Sequence, residues 1–339
     1  MNVGLYINSL HKVIDTVEVN RKRFLITGAS GLIGSCLTDL LMEANLSGRE
    51  NHVYALGRSK SKLEKRFSDY LESSYFHIIE QDVCQPLDVS LEFDYIIHGA
   101  SNADPVSYAK YPVETMTINL LGGINVLEYG KKHPNCQIVI LSTFEVYGNA
   151  GKDEYSEEDA GLLNFNQLRS CYPESKRSIE TLSICYYDEY GVKVNIGRLA
   201  SIYGPTMAEN DSKAHAQFLR NALDGKDIVL KSKGEQRRTY CYVIDAITGI
   251  LSVLFHGDYG TAYNISNENA VVSIAEVAQT VAGIAGTNVI FDLPNEVEAK
   301  GFSKPQNCIL KNNKLRALGW HGWYDLQAGI EETYMILRV

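Results

Sequence analysis

The 339-residue chain has no CxxC pair, no surplus of basic charge and no apolar run near the roughly 20 residues that a membrane helix needs. Its seven cysteines (Cys36, Cys84, Cys136, Cys171, Cys185, Cys241, Cys308) are scattered and odd in number, which argues against a disulfide frame or zinc knuckle and for reduced thiols. A formal charge of -9 speaks against a nucleic-acid surface, since phosphate binding needs a concentrated basic field. The eight histidines are dispersed, and no His/Cys/Asp/Glu set has metal-ligand spacing, so no metal is expected. His98, at a strand end, is expected beside a cofactor rather than on a metal. No nucleophile elbow of the G-x-S-x-G kind occurs. In residues 1–20, treated as an N-terminal extension, Lys12 and Asp15 break the apolar run before it reaches signal-peptide length. A cytoplasmic protein, without membrane or nucleic-acid partners, is the expectation. The extension suits a helix packed on the body or on a neighbouring subunit.

What is present is alternation. Short apolar segments at Phe24–Thr27, His52–Leu56, Phe76–Gln81, Tyr95–His98, Ile138–Ser142 and Val192–Arg198 are separated by helical periods such as Leu32–Ala44, Val113–Lys132 and Glu174–Tyr190. Such βαβα order predicts an α/β fold, a doubly wound parallel Rossmann sheet with helices on both faces. After Pro205 the alternation weakens. Residues 21–203 are therefore expected to form a dinucleotide-binding domain carrying catalytic residues. Residues 204–339 would form a smaller α+β substrate lobe, some of whose segments return to the main sheet.

"FLITGASGLIGSCLTDLL" joins the first strand to a helix through Gly28, Gly31 and Gly34. Glycines there allow a tight turn and let backbone N–H groups and the helix N-terminus approach a pyrophosphate. The second strand ends in "GRSKSK", without the acid that usually holds the ribose hydroxyls of NAD. Arg58 and Lys60 stand there instead and suit a 2′-phosphate, so NAD or NADP is expected with a lean to NADP. Asp82, after the third strand, suits the adenine edge.

Two further groups carry chemistry. Tyr172 and Lys176, four apart, share a helix face, and a lysine beside a phenol favours phenolate, a general base near neutrality. "STFEVYG", Ser142–Gly148, places Thr143, Phe144 and Glu145 at the end of a strand. If extended geometry continues past Ser142, Thr143 and Glu145 face the same side.

Taken in order, Thr27-Gly-x-x-Gly-x-x-Gly34, "HGASNADP" (His98–Pro105), Asn119, Thr143, Tyr172/Lys176, "RLASIYGP" (Arg198–Pro205), "RRTYCYVID" (Arg237–Asp245) and "LGW" (Leu318–Trp320) resemble the extended short-chain dehydrogenase/reductases of the nucleotide-sugar epimerase/dehydratase group. The resemblance runs from about Arg21 to the C-terminus. It implies cofactor contacts at Gly28, Ser30, Gly31, Leu32, Ile33, Gly34, Arg58, Asp82, Val83, Ala100, Ser101, Asn119, Tyr172 and Lys176. It implies substrate contacts at Asn102, Thr143, Phe144, Ser201 and Arg238, the last on a nucleotide diphosphate. Tyr172 would take a proton from a sugar hydroxyl as hydride leaves for the nicotinamide, with Lys176 holding the cofactor ribose and Thr143 the reacting oxygen. A transient 4-keto sugar follows.

Phe144 replaces the acid that 4,6-dehydratases usually carry, which disfavours simple water elimination. Thr-x-Glu followed by "RSCYPESKR" is most similar to UDP-glucuronate decarboxylases, with Glu145 as base or positioning group. Ser303, in place of an arginine, and Ser201, in place of an asparagine, depart from that branch. Epimerisation or decarboxylation of a nucleoside-diphosphate sugar leads. An NADPH-dependent 4-keto-sugar reductase, an atypical dehydratase and a non-catalytic dinucleotide sensor are the alternatives. In related proteins the Val113–Lys132 and Glu174–Tyr190 helices pair across a two-fold, so a homodimer is expected with Leu120, Leu121, Leu127 and Ile179 at its interface. Trp320, Trp323 and Tyr324 suit packing rather than base stacking.

Overall fold

The apolar segments assemble into one seven-stranded sheet in a computed structural model describing residues 1–293 and 306–338. Its strands are β1 (Arg23–Thr27), β2 (His52–Gly57), β3 (Phe76–Glu80), β4 (Tyr95–His98), β5 (Gln137–Thr143), β7 (Val194–Leu199) and β11 (Ala262–Ile265). They lie in the order β3-β2-β1-β4-β5-β7-β11, and every pair is parallel. Parallel neighbours need crossovers, and helices on both faces bury both sides of each strand. Phe24, Leu25 and Ile26 of β1 accordingly have no exposed surface, each worth about 1.5–3 kcal/mol of burial.

The crossover helices are α2 (Leu32–Leu46), α3 (Lys60–Arg66), α4 (Pro105–Lys110), α5 (Pro112–Lys132) and α6 (Cys171–Tyr190). Pro112 opens α5, and Gly191 in the left-handed region closes α6. The strand expected from Val192 begins instead at Val194, because Val192 N–H donates to Tyr186 O and so completes the α6 cap.

The extension forms α1 (Val3–His11), which packs on the body. Leu10, Val13 and Val17 are buried, and the Tyr6 hydroxyl donates to Asp39 Oδ2 of α2 at 2.7 Å. After β7 come β8 (Ser201–Tyr203), α7 (Ala214–Leu223), β9 (Ile228–Leu230), β10 (Arg237–Tyr242), α8 (Val243–His256), β12 (Val271–Ser273), α9 (Ile274–Ala285), β13 (Val289–Phe291), β14 (Ile309–Leu310), α10 (Asn313–Ala317) and α11 (Leu326–Leu337). Three small sheets result: β12-β10-β8, β13-β9, and β14 with β6 (Glu154–Tyr155). The segment after Pro205 gives β11 back to the main sheet. Trp320 and Tyr324 pack in the core as expected, and the Trp320 indole donates to Thr248 Oγ1 at 2.9 Å; Trp323 is half exposed.

Of the residues expected at a subunit interface, Leu127 and Ile179 are buried inside the subunit, where α5 packs on α6. A Cβ on Gly123 would lie 2.3 Å from Ile179 Cδ1, so this glycine lets the two helices meet. Leu121 stays exposed on their outer face, with Met116, Ile184 and Tyr187.

Candidate active site

The sheet order reverses between β1 and β4, and open α/β sheets bind ligands beyond the strand ends at such a switch point. There the turn after β1 meets the turn after β4. Gly28 has φ +69°, and a Cβ on it would lie 2.9 Å from the Gly99–Ala100 backbone. Gly34 lets α2 start against the turn, since a Cβ would lie 2.5 Å from Gly28 O. The result is a cradle of bare backbone at the N-terminus of a 15-residue helix, which fits a dinucleotide pyrophosphate.

From this cradle a cleft of about 1010 Å³ runs toward the smaller sheets. Gly28, Gly31, Leu32, Ile33, Gly34 and Ser101 line one end, and Thr143, Phe144, Glu145, Tyr172, Lys176, Ser201 and Arg238 line the rest. The Ser101 hydroxyl has no hydrogen-bond partner among the described residues. The Thr206 hydroxyl donates to Leu32 O at 2.8 Å, tying the segment after β8 to the cradle.

Several expected contacts lie outside this lining. Ser30 is exposed. Ala100 N–H donates to Thr27 Oγ1 at 3.2 Å, and His98 Nδ1 shares that hydroxyl at 2.9 Å. Burial draws the His98 imidazole down to about 3, so it stays neutral and braces β1. Val83 packs under Gly122 of α5, and Asp82 accepts from Cys84 N–H at 2.9 Å. Asn102 donates to Thr115 Oγ1 at 3.4 Å, and the buried Asn119 to Ser175 Oγ at 2.9 Å. Arg58 and Lys60 are exposed and ion-paired, with Glu114 at 2.7 Å and Glu64 at 3.7 Å.

One correction concerns the chemistry. The strand ends at Thr143, whose hydroxyl accepts the Glu145 N–H at 3.3 Å and starts a 3-10 turn over Phe144–Tyr147. Thr143 and Glu145 are therefore not related as same-face strand residues. The Lys176 ammonium donates to Leu141 O at 2.8 Å, and burial draws it down to about 8. Burial pushes the Tyr172 phenol well up, Glu145 adds to the rise, and the Thr143 hydroxyl and Arg169 oppose it.

Arg169 and Tyr108 were not singled out from the sequence. Arg169 Nη2 meets Glu145 Oε2 at 2.6 Å and the Tyr108 hydroxyl at 3.2 Å, with Cζ 4.4 Å from the Tyr108 ring centroid. The Tyr108 ring stacks on Tyr172, centroids 5.2 Å apart. Arg169 begins the stretch "RSCYPESKR", whose basic first residue was the available signal; Tyr108, in a short helix, offered none. Arg238 donates to Gln236 Oε1 at 3.3 Å and lies 5.5 Å over the Phe144 ring, with Nε unpartnered among the described residues. Ser303 lies outside the described residues. All seven cysteines are free. Among the described residues no cluster of metal-ligating side chains occurs, and no helix is long and apolar enough to cross a membrane.

The chain is similar to several known proteins. UDP-glucuronic acid decarboxylase 1 of Xenopus tropicalis is 31% identical over 323 residues, 95% of this chain and 73% of that protein. UDP-glucuronic acid decarboxylase 6 of Arabidopsis thaliana is 32% identical over 309 residues, 91% and 86%. Among solved structures, the UDP-glucuronic acid 4-epimerase of Bacillus cereus, in complex with UDP-glucuronic acid and NAD, superposes with a TM-score of 0.78 at 23% identity, covering 93% of this chain and 99% of that one. The dTDP-glucose 4,6-dehydratase of Bacillus anthracis, in complex with NAD, gives 0.77 at 20%, covering 93% and 96%. These two likenesses concern the fold. The model of the NAD dependent epimerase/dehydratase family matches residues 24–266, and the chain belongs to that family.

Proposed function

We propose that the protein is an NAD(P)-dependent enzyme that oxidises C4 of a nucleoside-diphosphate uronate and lets the resulting 4-keto sugar lose its carboxylate. The observation carrying this reading is the meeting of Thr143, Tyr172, Lys176 and the Glu145–Arg169 pair in the same cleft as the glycine cradle. The kinship with UDP-glucuronic acid decarboxylases over more than nine-tenths of the chain supports the substrate class.

Bound, the nicotinamide would accept the C4 hydride and return it after decarboxylation. The chain's own residues do the rest. Tyr172 as phenolate takes the C4 hydroxyl proton, and Thr143 donates a hydrogen bond to the same oxygen. Lys176, held by Leu141 O, keeps two ammonium protons for the cofactor ribose and the phenolate. Arg238 pairs with the diphosphate, and Glu145 positions sugar hydroxyls. The reading assigns residues 21–203 to the dinucleotide and catalytic part and 204–339 mainly to the nucleotide sugar. Either NAD or NADP fits the cradle. A 2′-phosphate would have to draw Arg58 away from Glu114, so affinities for the two cofactors decide between them.

Phe144 favours 4-epimerisation as a second reading. A ring there supplies no proton, and turning a 4-keto sugar over in the site requires none. The face carrying Met116, Leu121, Ile184 and Tyr187 suits a homodimer, and seven free thiols suit the cytoplasm. The test is incubation with UDP-glucuronate and either cofactor. Loss of carbon dioxide supports decarboxylation, and a new isomer of unchanged mass supports epimerisation. Conversion of neither UDP-glucuronate nor any other member of a UDP-, GDP-, CDP- and dTDP-sugar panel refutes both.

A further inference from the structure

The ring and the charges around Tyr172 form a connected set. Tyr108 of α4 stacks on Tyr172 of α6 at 5.2 Å, and Arg169 caps Tyr108 at 4.4 Å and bonds its hydroxyl at 3.2 Å. The same guanidinium grips Glu145 at 2.6 Å. Four separate segments thus converge on one phenol. Glu145 from the 3-10 turn, Arg169 from the turn before α6 and Thr143 from β5 act on the phenol, Tyr108 from α4 stacks on its ring, and Lys176 from its own helix lines the same cleft.

The sign of each charge decides what the arrangement does. Tyr172 must lose a proton to act as base, and a carboxylate nearby opposes a second negative charge. Glu145 is such a carboxylate, with its side chain 21% exposed beside a half-exposed Arg169. Arg169 is the cation in contact with it; Lys176 is turned toward Leu141 O.

We propose that Arg169 is a positioning residue for the proton transfer: by holding Glu145 and bracing Tyr108 against Tyr172, it cancels the carboxylate's charge where the phenolate must form. Glu145 then stays available to the sugar without silencing the base. The inference rests on the reading of Tyr172 as that base. The opposed effects of Glu145 and Arg169 on the Tyr172 phenol agree with it.

The experiment follows kcat/KM for UDP-glucuronate against pH in the NAD-loaded protein, beside a spectrophotometric titration of phenolate with Tyr172→Phe as the blank. In Arg169→Gln the acid limb and the phenolate titration should both move to higher pH by about one to two units, roughly ten- to a hundredfold in rate on that limb, with the high-pH plateau nearly kept. Arg169→Lys should restore part of the shift. Glu145→Gln/Arg169→Gln should return the titration most of the way, because the uncompensated charge is gone. An equal fall in rate at every pH, with the phenolate titration unmoved, would overturn the proposal while leaving Tyr172 as base. Full activity of Tyr172→Phe would sink the underlying reading instead. NAD binding and a thermal melt check that each variant is folded.

Discussion

Replacing Arg198 by Leu should cost about 3–5 kcal/mol of stability, because it strands a buried carboxylate. Arg198 of β7 gives Glu180 of α6 two bonds to one oxygen, from Nη2 at 2.8 Å and Nε at 3.0 Å, and Ser142 Oγ donates to the other oxygen. The side chains are 15% and 7% exposed, so screening by water discounts the pair little. Arg198 Nη1 also reaches the Tyr147 hydroxyl at 3.1 Å and Glu157 O at 2.9 Å. Losing the guanidinium removes all of these while Glu180 keeps only Ser142. The double variant Arg198→Leu/Glu180→Leu buries no unpaired charge and should lose much less than the two single losses combined. Urea unfolding of the four proteins measures this, with a coupling of about 2–3 kcal/mol expected. Single losses below about 1 kcal/mol, or strict additivity, would show that Arg198 does not hold a buried Glu180 charge. There is a catalytic consequence. Glu180 lies one turn beyond Lys176 and holds that ammonium up against its burial, so Glu180→Leu should make Lys176 lose its proton at still lower pH.

Gly34→Ala should abolish NAD binding or weaken it at least tenfold, since its Cβ would lie 2.5 Å from Gly28 O and push α2 off the cradle; calorimetric titration with NAD checks this. His98 is held neutral, its folded value lowered to about 3 from 6.5, so its contribution is complete above pH 6.5 and lost as pH falls toward 3. Relative to His98→Asn, the wild type should therefore lose about 1.4 kcal/mol per pH unit through that window, read from urea midpoints at several pH values. A wild type that loses no more than the variant would contradict a neutral buried imidazole. Leu121→Glu/Ile184→Glu should convert a dimer to monomers in sedimentation equilibrium, while an unchanged mass would remove the α5–α6 face as the interface.

The strand-and-helix order was legible because a parallel sheet buried on both faces writes itself as apolar runs, and the glycines at 28 and 34 occur where only backbone fits. Boundaries slipped where caps decide them, as at Val192. The cleft's lining was legible at Thr143, Tyr172 and Lys176, whose types and order are distinctive. Two kinds of residue escaped. The turn at Phe144 was hidden because a hydroxyl capping the next N–H looks, in sequence, like any strand end. Arg169 and Tyr108 matter through contacts between distant segments, and neither spacing nor composition records those. A helix-face spacing shows that Tyr172 and Lys176 are neighbours but not that Leu141 O takes one of the ammonium's protons.

Mass spectrometry of UDP-glucuronate incubated with the protein and NAD decides whether this cleft removes the carboxylate. The expected product is lighter by one carbon dioxide and absent with Tyr172→Phe. Unchanged substrate with wild-type protein that demonstrably binds NAD, repeated across the sugar-nucleotide panel, would contradict it.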